Sequence, residues 1–320
     1  TGAYYYATPE NNWREVVQPY LPHWIGPRDL NLIRDFYEGN PARAVPWEAW
    51  LLPLLYWLLF ALALFLVMVC MMVILRWQWV EHEKLAYPMA QLPLAMIADD
   101  GSGRLVRPLF RQPLMWLGFV LPFGLGSIDA LNKYFVAFPA IRLSLGSIPL
   151  FEQTASLNLT VYFSIIGFSY LIPQNVALGL WFFHLLSQVQ RSAIALVGAY
   201  EQEAALGHFS RYLDPMVFHQ AMGAMIALVL GFLWTGRRHL GAVARKALWS
   251  DPTVDDSDEI VSYRVAVCGV VGGLGAMGFW LWQTGVPLPH VPLLLFGAFV
   301  IFLTIARAAA QGGVAAMYTP

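Results

Sequence analysis

Hydrophobic positions in this chain come in blocks rather than stripes. Residues 51–75 contain no charge at all. Four blocks, 47–75, 216–234, 265–282 and 289–306, come close to or exceed the ~20 apolar residues needed to cross ~30 Å of hydrocarbon. A fifth, 113–131, is interrupted by Pro122, Gly124, Gly126 and Asp129. It still reads as a span, because membrane helices tolerate Pro and Gly where neighbours satisfy the freed backbone groups.

The apolar region 157–198 is too long for one crossing. At 1.5 Å per residue it would extend about 63 Å, twice the hydrocarbon thickness. Ile172-Pro173-Gln174-Asn175 interrupts it, so two short helices, 157–172 and 175–198, are predicted to meet at Pro173. The expected fold is an all-α membrane protein, a polytopic helical bundle of about seven spans filling residues 47–320. Residues 1–46 precede it, rich in aromatics and prolines such as Tyr4, Tyr5, Tyr6, Trp13, Pro22, Trp24 and Tyr37. They are too apolar for a disordered tail, and are expected outside the cell as a cover over the bundle mouth, acting as a lid or a docking surface.

Composition agrees. Apolar residues make up 58% of the 320 and charged residues 12%, so the bilayer is the expected solvent and first partner. A net charge of −1 argues against a nucleic-acid partner, whose phosphates demand a basic face. Cys70 and Cys268 fall in separate apolar blocks and suggest neither a disulfide framework nor a zinc site. The beginning at Thr1, with no initiator Met or basic signal region, and the end shortly after an apolar block suggest a piece of a longer polypeptide.

Basic residues set the expected orientation. Five lie in 76–111, five in 237–264, and Arg307 follows the last block. Those segments are placed on the cytoplasmic side. Trp47 and Trp50 at one end of the first block, Trp77 and Trp79 at the other, and Trp234, Trp280 and Trp282 later suit headgroup depth. The acid-rich stretch 251–259 reads as a solvated loop. Within 271–278, the Gly273/Ala276 and Gly275/Gly278 spacings suit close helix packing.

Candidate chemistry lies where polar groups reach membrane depth, since they are costly in lipid and mark function by default. Around the Pro173 break stand Ser164, Ser169, Tyr170, Gln174, Asn175 and His184. They either line a substrate path or, for Gln174 and Asn175, merely cap helices at a tight turn. Asp129 could bind a proton or cation, but pairing with Lys133 is the favoured expectation. His184 has no second histidine at helical spacing, so haem is not expected. Glu201, Glu203 and His208 match no metal-ligand spacing. With no nucleophile and base, paired acids or metal motif at membrane depth, the chain does not read as an enzyme, and no cofactor is expected.

After the first block, Glu81 and Lys84 are spaced to pair on a helix face, and Pro88 and Pro93 limit the helix that follows. Tyr87, Leu92, Leu94 and Met96 give that segment an apolar side, so it either lies on the membrane surface or dips back into the protein. Glu83-Lys84-Leu85-Ala86-Tyr87-Pro88-Met89-Ala90 resembles the "E-x-L-x-F-P-x-x-x-A" element that follows a long span in the oligopeptide transporter superfamily. Here Met89-Ala90-Gln91 follow where that superfamily has small polar residues and Gly. The string from Arg76 to Pro88 is similar to a group of uncharacterised bacterial membrane proteins distantly related to those transporters. Gly167-Phe168-Ser169-Tyr170-Leu171-Ile172-Pro173 and Trp181-Phe182-Phe183 resemble that group's broken helix.

The resemblance implies a permease of a bacterial cytoplasmic membrane that moves a small polar or peptide-like solute by alternating access. Lys84, Tyr87, Pro88 and Gln91 would lie in its re-entrant or interfacial loop. The rival expectation is a non-transporting scaffold subunit, joined to other membrane proteins or to copies of itself.

Overall fold

The computed structural model describes residues 1–39, 45–101, 106–135, 137–141, 143–151, 155–198 and 215–313. In chain order its helices are α1 (Gly2–Tyr5), α2 (Trp13–Val16), α3 (Leu30–Glu38), α4 (Trp47–Trp77), α5 (Pro88–Ile97) and α6 (Pro113–Asn132). A two-stranded hairpin follows, β1 (Ser144–Leu150) and β2 (Ala155–Thr160). Then come α7 (Phe163–Ser169), α8 (Gln174–Leu196), α9 (Pro215–Thr235), α10 (Arg237–Trp249), α11 (Tyr263–Gln283) and α12 (Val291–Gly312). Among the described residues five helical segments are long and apolar enough to cross a membrane: Trp47–His82, Pro113–Asn132, Val217–Thr235, Tyr263–Gln283 and Leu288–Gly312. The protein is a predominantly helical membrane protein.

The chain divides into two compact units, residues 1–83 with 230–302, and residues 84–229 with 303–320. In the first, α4 and α11 pack along each other with almost no space between them. A Cβ added at Gly269 would lie 2.5 Å from the Cys70 Sγ, and one at Gly273 2.5 Å from Val67 and 3.1 Å from the Ala63 carbonyl oxygen. Such close approach is what small residues allow between membrane helices, where lipid removes most of the hydrophobic drive for association. At the far end of α4 the amphipathic helix α10 closes the pair. Val243 joins Cys70, Val73, Ile74, Tyr263 and Ala266 in a buried cluster.

The N-terminal segment is tied to the opposite end of the same pair. Trp24 lies tilted against Tyr56, ring centres 4.7 Å apart, and meets Trp280 edge-on at 5.5 Å. Trp57 Nε1 donates to the Ile25 carbonyl (3.1 Å) and Trp280 Nε1 to that of Tyr56 (3.0 Å). Trp280 packs among these aromatics, and at the other end Trp79 is buried edge-on against Phe232.

In the second unit the structure departs from an all-α fold. Residues 157–172 were expected to cross as a helix; instead 157–160 belong to β2, paired antiparallel with β1, and only the seven-residue α7 follows. The physical reason is period. Leu157 and Leu159 alternate with Ser156, Asn158 and Thr160, a two-residue repeat that suits a strand. Gly146, at φ 101°, sits where the hairpin register shifts. The break at Pro173 stands as expected, but the helices it separates are unequal, 7 and 23 residues. With Gln188, Gln190 and Arg191 along it, α8 is less apolar than the five span-like segments.

Candidate functional site

The predicted loop after the first span forms an ordered junction. Helix α4 ends in one π turn, Gln78–His82, closed by the Glu83 N–H donating to the Gln78 carbonyl at 2.9 Å. Lys84 and Tyr87 adopt left-handed backbone (φ 50° and 45°), which carries steric strain for side-chain-bearing residues. That geometry places Lys84 outside any helix, and Glu81 and Lys84 form no ion pair. Pro88 then starts α5, where its fixed φ suits the first helical position and its missing N–H costs nothing.

What holds this conformation is the C-terminal end of α12. The Tyr87 N–H donates to the Ala310 carbonyl at 2.8 Å. Pro88 is buried so close to Gly313 that a Cβ there would lie 2.8 Å from the proline Cβ. Gln91 Nε2 donates to the Ala86 carbonyl at 2.7 Å and bridges the turn from inside α5. The remaining face of α5, with Met89, Leu92, Leu94, Met96 and Ile97, is exposed.

Ser169, Tyr170, Gln174 and Asn175 come together at the α7–α8 turn, exposed at their side chains. The Ser169 hydroxyl donates to the Ile166 carbonyl (2.7 Å), and Asn175 Oδ1 accepts from the Val176 N–H (2.9 Å). Both bonds stay within their own helices, and no side chain caps the start of α8, so Gln174 and Asn175 are not the caps of the alternative expectation. Tyr170 is 91% exposed. His184 is exposed on α8 and Asp129 half-buried on α6. The favoured pair fails: no ion pair joins Asp129 to Lys133, one turn away at the C-cap of α6. Glu201, Glu203 and His208 lie outside the described residues.

The densest polar chemistry lies elsewhere, at the end of α4. Arg76 grips Glu259 with two hydrogen bonds, Nε to Oε2 at 2.7 Å and Nη2 to Oε1 at 3.0 Å. Tyr263 donates its hydroxyl to the same Oε1 at 3.2 Å. The Glu259 side chain is 3% exposed and that of Arg76 33%. Alongside, Trp77 stacks on His239 (5.0 Å), whose Nε2 sits 2.8 Å from the Ile74 carbonyl oxygen. Gln78, 4% exposed, reaches Glu83 at 3.0 Å.

Stretch 251–259 is correspondingly more than a solvated loop. Asp256 accepts from the Tyr263 N–H (3.0 Å) and so caps α11. It also pairs with Lys246 (3.5 Å), while Asp251 pairs with Arg245 (3.4 Å). The Thr253 hydroxyl and N–H hold the Asp251 carboxyl below the usual range, and the Ser257 N–H does the same for Asp255. The sequence signal for this hub was the complementarity of an acidic run and the basic helix before it.

Three cavities are lined by described residues of the first unit. One of about 650 Å³ has Trp77, His82, Arg237, Arg238, His239 and Asp255 in its wall. A second, of about 480 Å³, lies by Trp24 and Trp280, and a third, about 390 Å³ and almost wholly apolar, runs by Met68 and Met72 to Arg76 and Glu259. Other residues than the predicted path line all three.

The profile of a family of unknown function, DUF6785, matches residues 1–320. No curated protein and no solved structure matches the chain.

Proposed function

Because the chain belongs to DUF6785, whose function is not known, we propose its function from its own geometry: a secondary-transporter-like permease of the oligopeptide transporter kind. It sits in a bacterial cytoplasmic membrane with residues 1–46 outside, and moves a small polar or peptide-like solute. The observation that carries this reading is α5. Ten residues span about 15 Å, half the hydrocarbon thickness, so an apolar helix of that length cannot cross. Its N-terminus is nonetheless fixed to the end of span α12 by the Tyr87–Ala310 bond and the Pro88–Gly313 contact. Short, docked helices with free ends are how membrane transporters hold polar solutes without exposing backbone to lipid. The Leu-Ala-Tyr-Pro sequence at that junction carries the resemblance to the superfamily.

The test is uptake by the full-length protein in proteoliposomes, against a panel of free amino acids and di- to tetrapeptides. Saturable uptake of at least one solute is expected, reduced about tenfold or more by Pro88→Ala, which loosens the junction without removing a solute-binding group. A folded, correctly inserted protein that moves none of the panel under a proton or sodium gradient would sink the reading.

A second reading, a non-transporting scaffold subunit, is favoured by one observation. No residue in the span-like window of Pro113–Asn132 is buried, which leaves a whole helix available to a partner.

A further inference from the structure

The largest of the three cavities has an uneven charge balance that neither reading uses. Its wall holds the two cations Arg237 and Arg238, beside the imidazoles of His82 and His239, against the single carboxylate of Asp255. Asp255 is already engaged by the Ser257 N–H at 3.0 Å. Arg237 spends one of its five donors on the Trp234 carbonyl (2.7 Å), and its guanidinium lies 4.6 Å from the Trp234 ring centre. That fixes the head group while leaving most of its donors unspent. Arg238 makes no hydrogen bond or ion pair among the described residues. Two arginines with spare donors in the wall of one concave site are the usual chemistry for a phosphate oxyanion.

Depth narrows the source. Trp77 ends α4 and the exposed Trp234 lies one residue before the end of α9, so the cavity sits where two span-like helices stop. Indole rings at span ends favour the headgroup level, which is also the level of lipid phosphates. About 650 Å³ lies within the range of small-ligand pockets and would hold a headgroup. We propose that this cavity binds the phosphate of an anionic phospholipid headgroup, with Arg237 and Arg238 as its ligands and the Trp77–His239 stack as its wall. Lipid held there would brace α4, α9 and α10 at a common depth. The proposal does not depend on transport.

Native mass spectrometry of the full-length protein, released from nanodiscs of phosphatidylcholine with a minor share of phosphatidylglycerol, tests it directly. Wild type should retain phosphatidylglycerol selectively. Arg238→Gln should lower that retention about tenfold, the worth of one charge-assisted contact, and Arg237→Gln/Arg238→Gln further. Because Arg238 has no partner among the described residues, its single substitution should leave the melting temperature in phosphatidylcholine alone unchanged. Arg14→Gln/Arg34→Gln removes equal charge from the N-terminal segment and should leave retention intact. Equal loss in that control, or no loss in Arg238→Gln, would overturn the site. Displacement of the lipid by millimolar inorganic phosphate would overturn the lipid assignment in favour of a soluble phosphate ligand.

Discussion

Glu259 joins the end of α4 to the start of α11. Its carboxylate is nearly sealed from water, yet three donors from Arg76 and Tyr263 reach it. Such a pair adds little over an apolar one of the same shape, but breaking it strands a charge. Glu259→Gln is therefore expected to destabilise the first unit by about 3 kcal/mol, the lower end for buried pairs because Arg76 is one-third exposed. Tyr263→Phe, which removes one hydrogen bond, should cost about 1 kcal/mol. Arg76→Met with Glu259→Leu should recover most of the loss, as read from melting curves in nanodiscs. The neighbouring aspartates respond to pH. A carboxyl held below its usual range stabilises the fold above the unfolded value of about 3.9 and loses that contribution as pH falls through the folded value. Residues 251–262 should thus stay protected from hydrogen exchange from neutral pH to about pH 4 and open below it. Asp251→Asn should open them already at pH 7.

At the scale of elements, α11 shows how near-identical residues differ by face. Gly273 meets Val67 and the rigid Ala63 backbone, whereas nothing lies within 4 Å of a Cβ built on Gly275. Gly273→Ala should cost about 1–3 kcal/mol through overpacking, and Gly275→Ala should gain up to about 1 kcal/mol from helix propensity. Equal effects in paired melting measurements would mean that α4 and α11 do not meet along this line. The sequence marked the Gly-rich run as a packing face, but the spacing of small residues gives no partner and no phase, so which glycine touches α4 became readable only from the fold. Long uncharged blocks such as 51–75 were legible because hydrocarbon sets both their length and their composition. The hairpin was not, since Leu157 and Leu159 sit beside a truly apolar helix and their short two-residue period is lost in a window wide enough for a span. Likewise Lys84 and Tyr87 offered no local sign of left-handed backbone; the contact with Ala310, more than 200 positions away, imposes it. The Arg76–Glu259 pair was invisible for the same reason, and the Ser169–Asn175 group was visible only because its members are neighbours in sequence.

For the whole molecule, α6 is the element whose surroundings decide most. None of its span-like window is buried, and a Cβ on Gly118, Gly124 or Gly126 would meet nothing within 4 Å. Three glycines in one helix, none of them buried, cost about 1 kcal/mol each relative to alanine, and lipid gives nothing back for that cost. Helix–helix interfaces do, because small residues let backbones approach and gain dispersion contacts. Half-buried Asp129 on the same helix would also be stabilised by protein rather than acyl chains. We therefore expect α6 to be covered by another helix of an assembly, either a second copy or a different subunit. A photo-crosslinking amino acid at Leu117 or Leu121, both exposed, should give protein adducts when illuminated in native membranes, and the adduct mass tells a second copy from a foreign subunit. The same probe at Leu59, exposed on α4, provides the comparison. Adducts to lipid alone at both α6 positions would mean that this helix faces acyl chains all round, which would remove the observation favouring the scaffold reading and leave the permease reading to stand on α5.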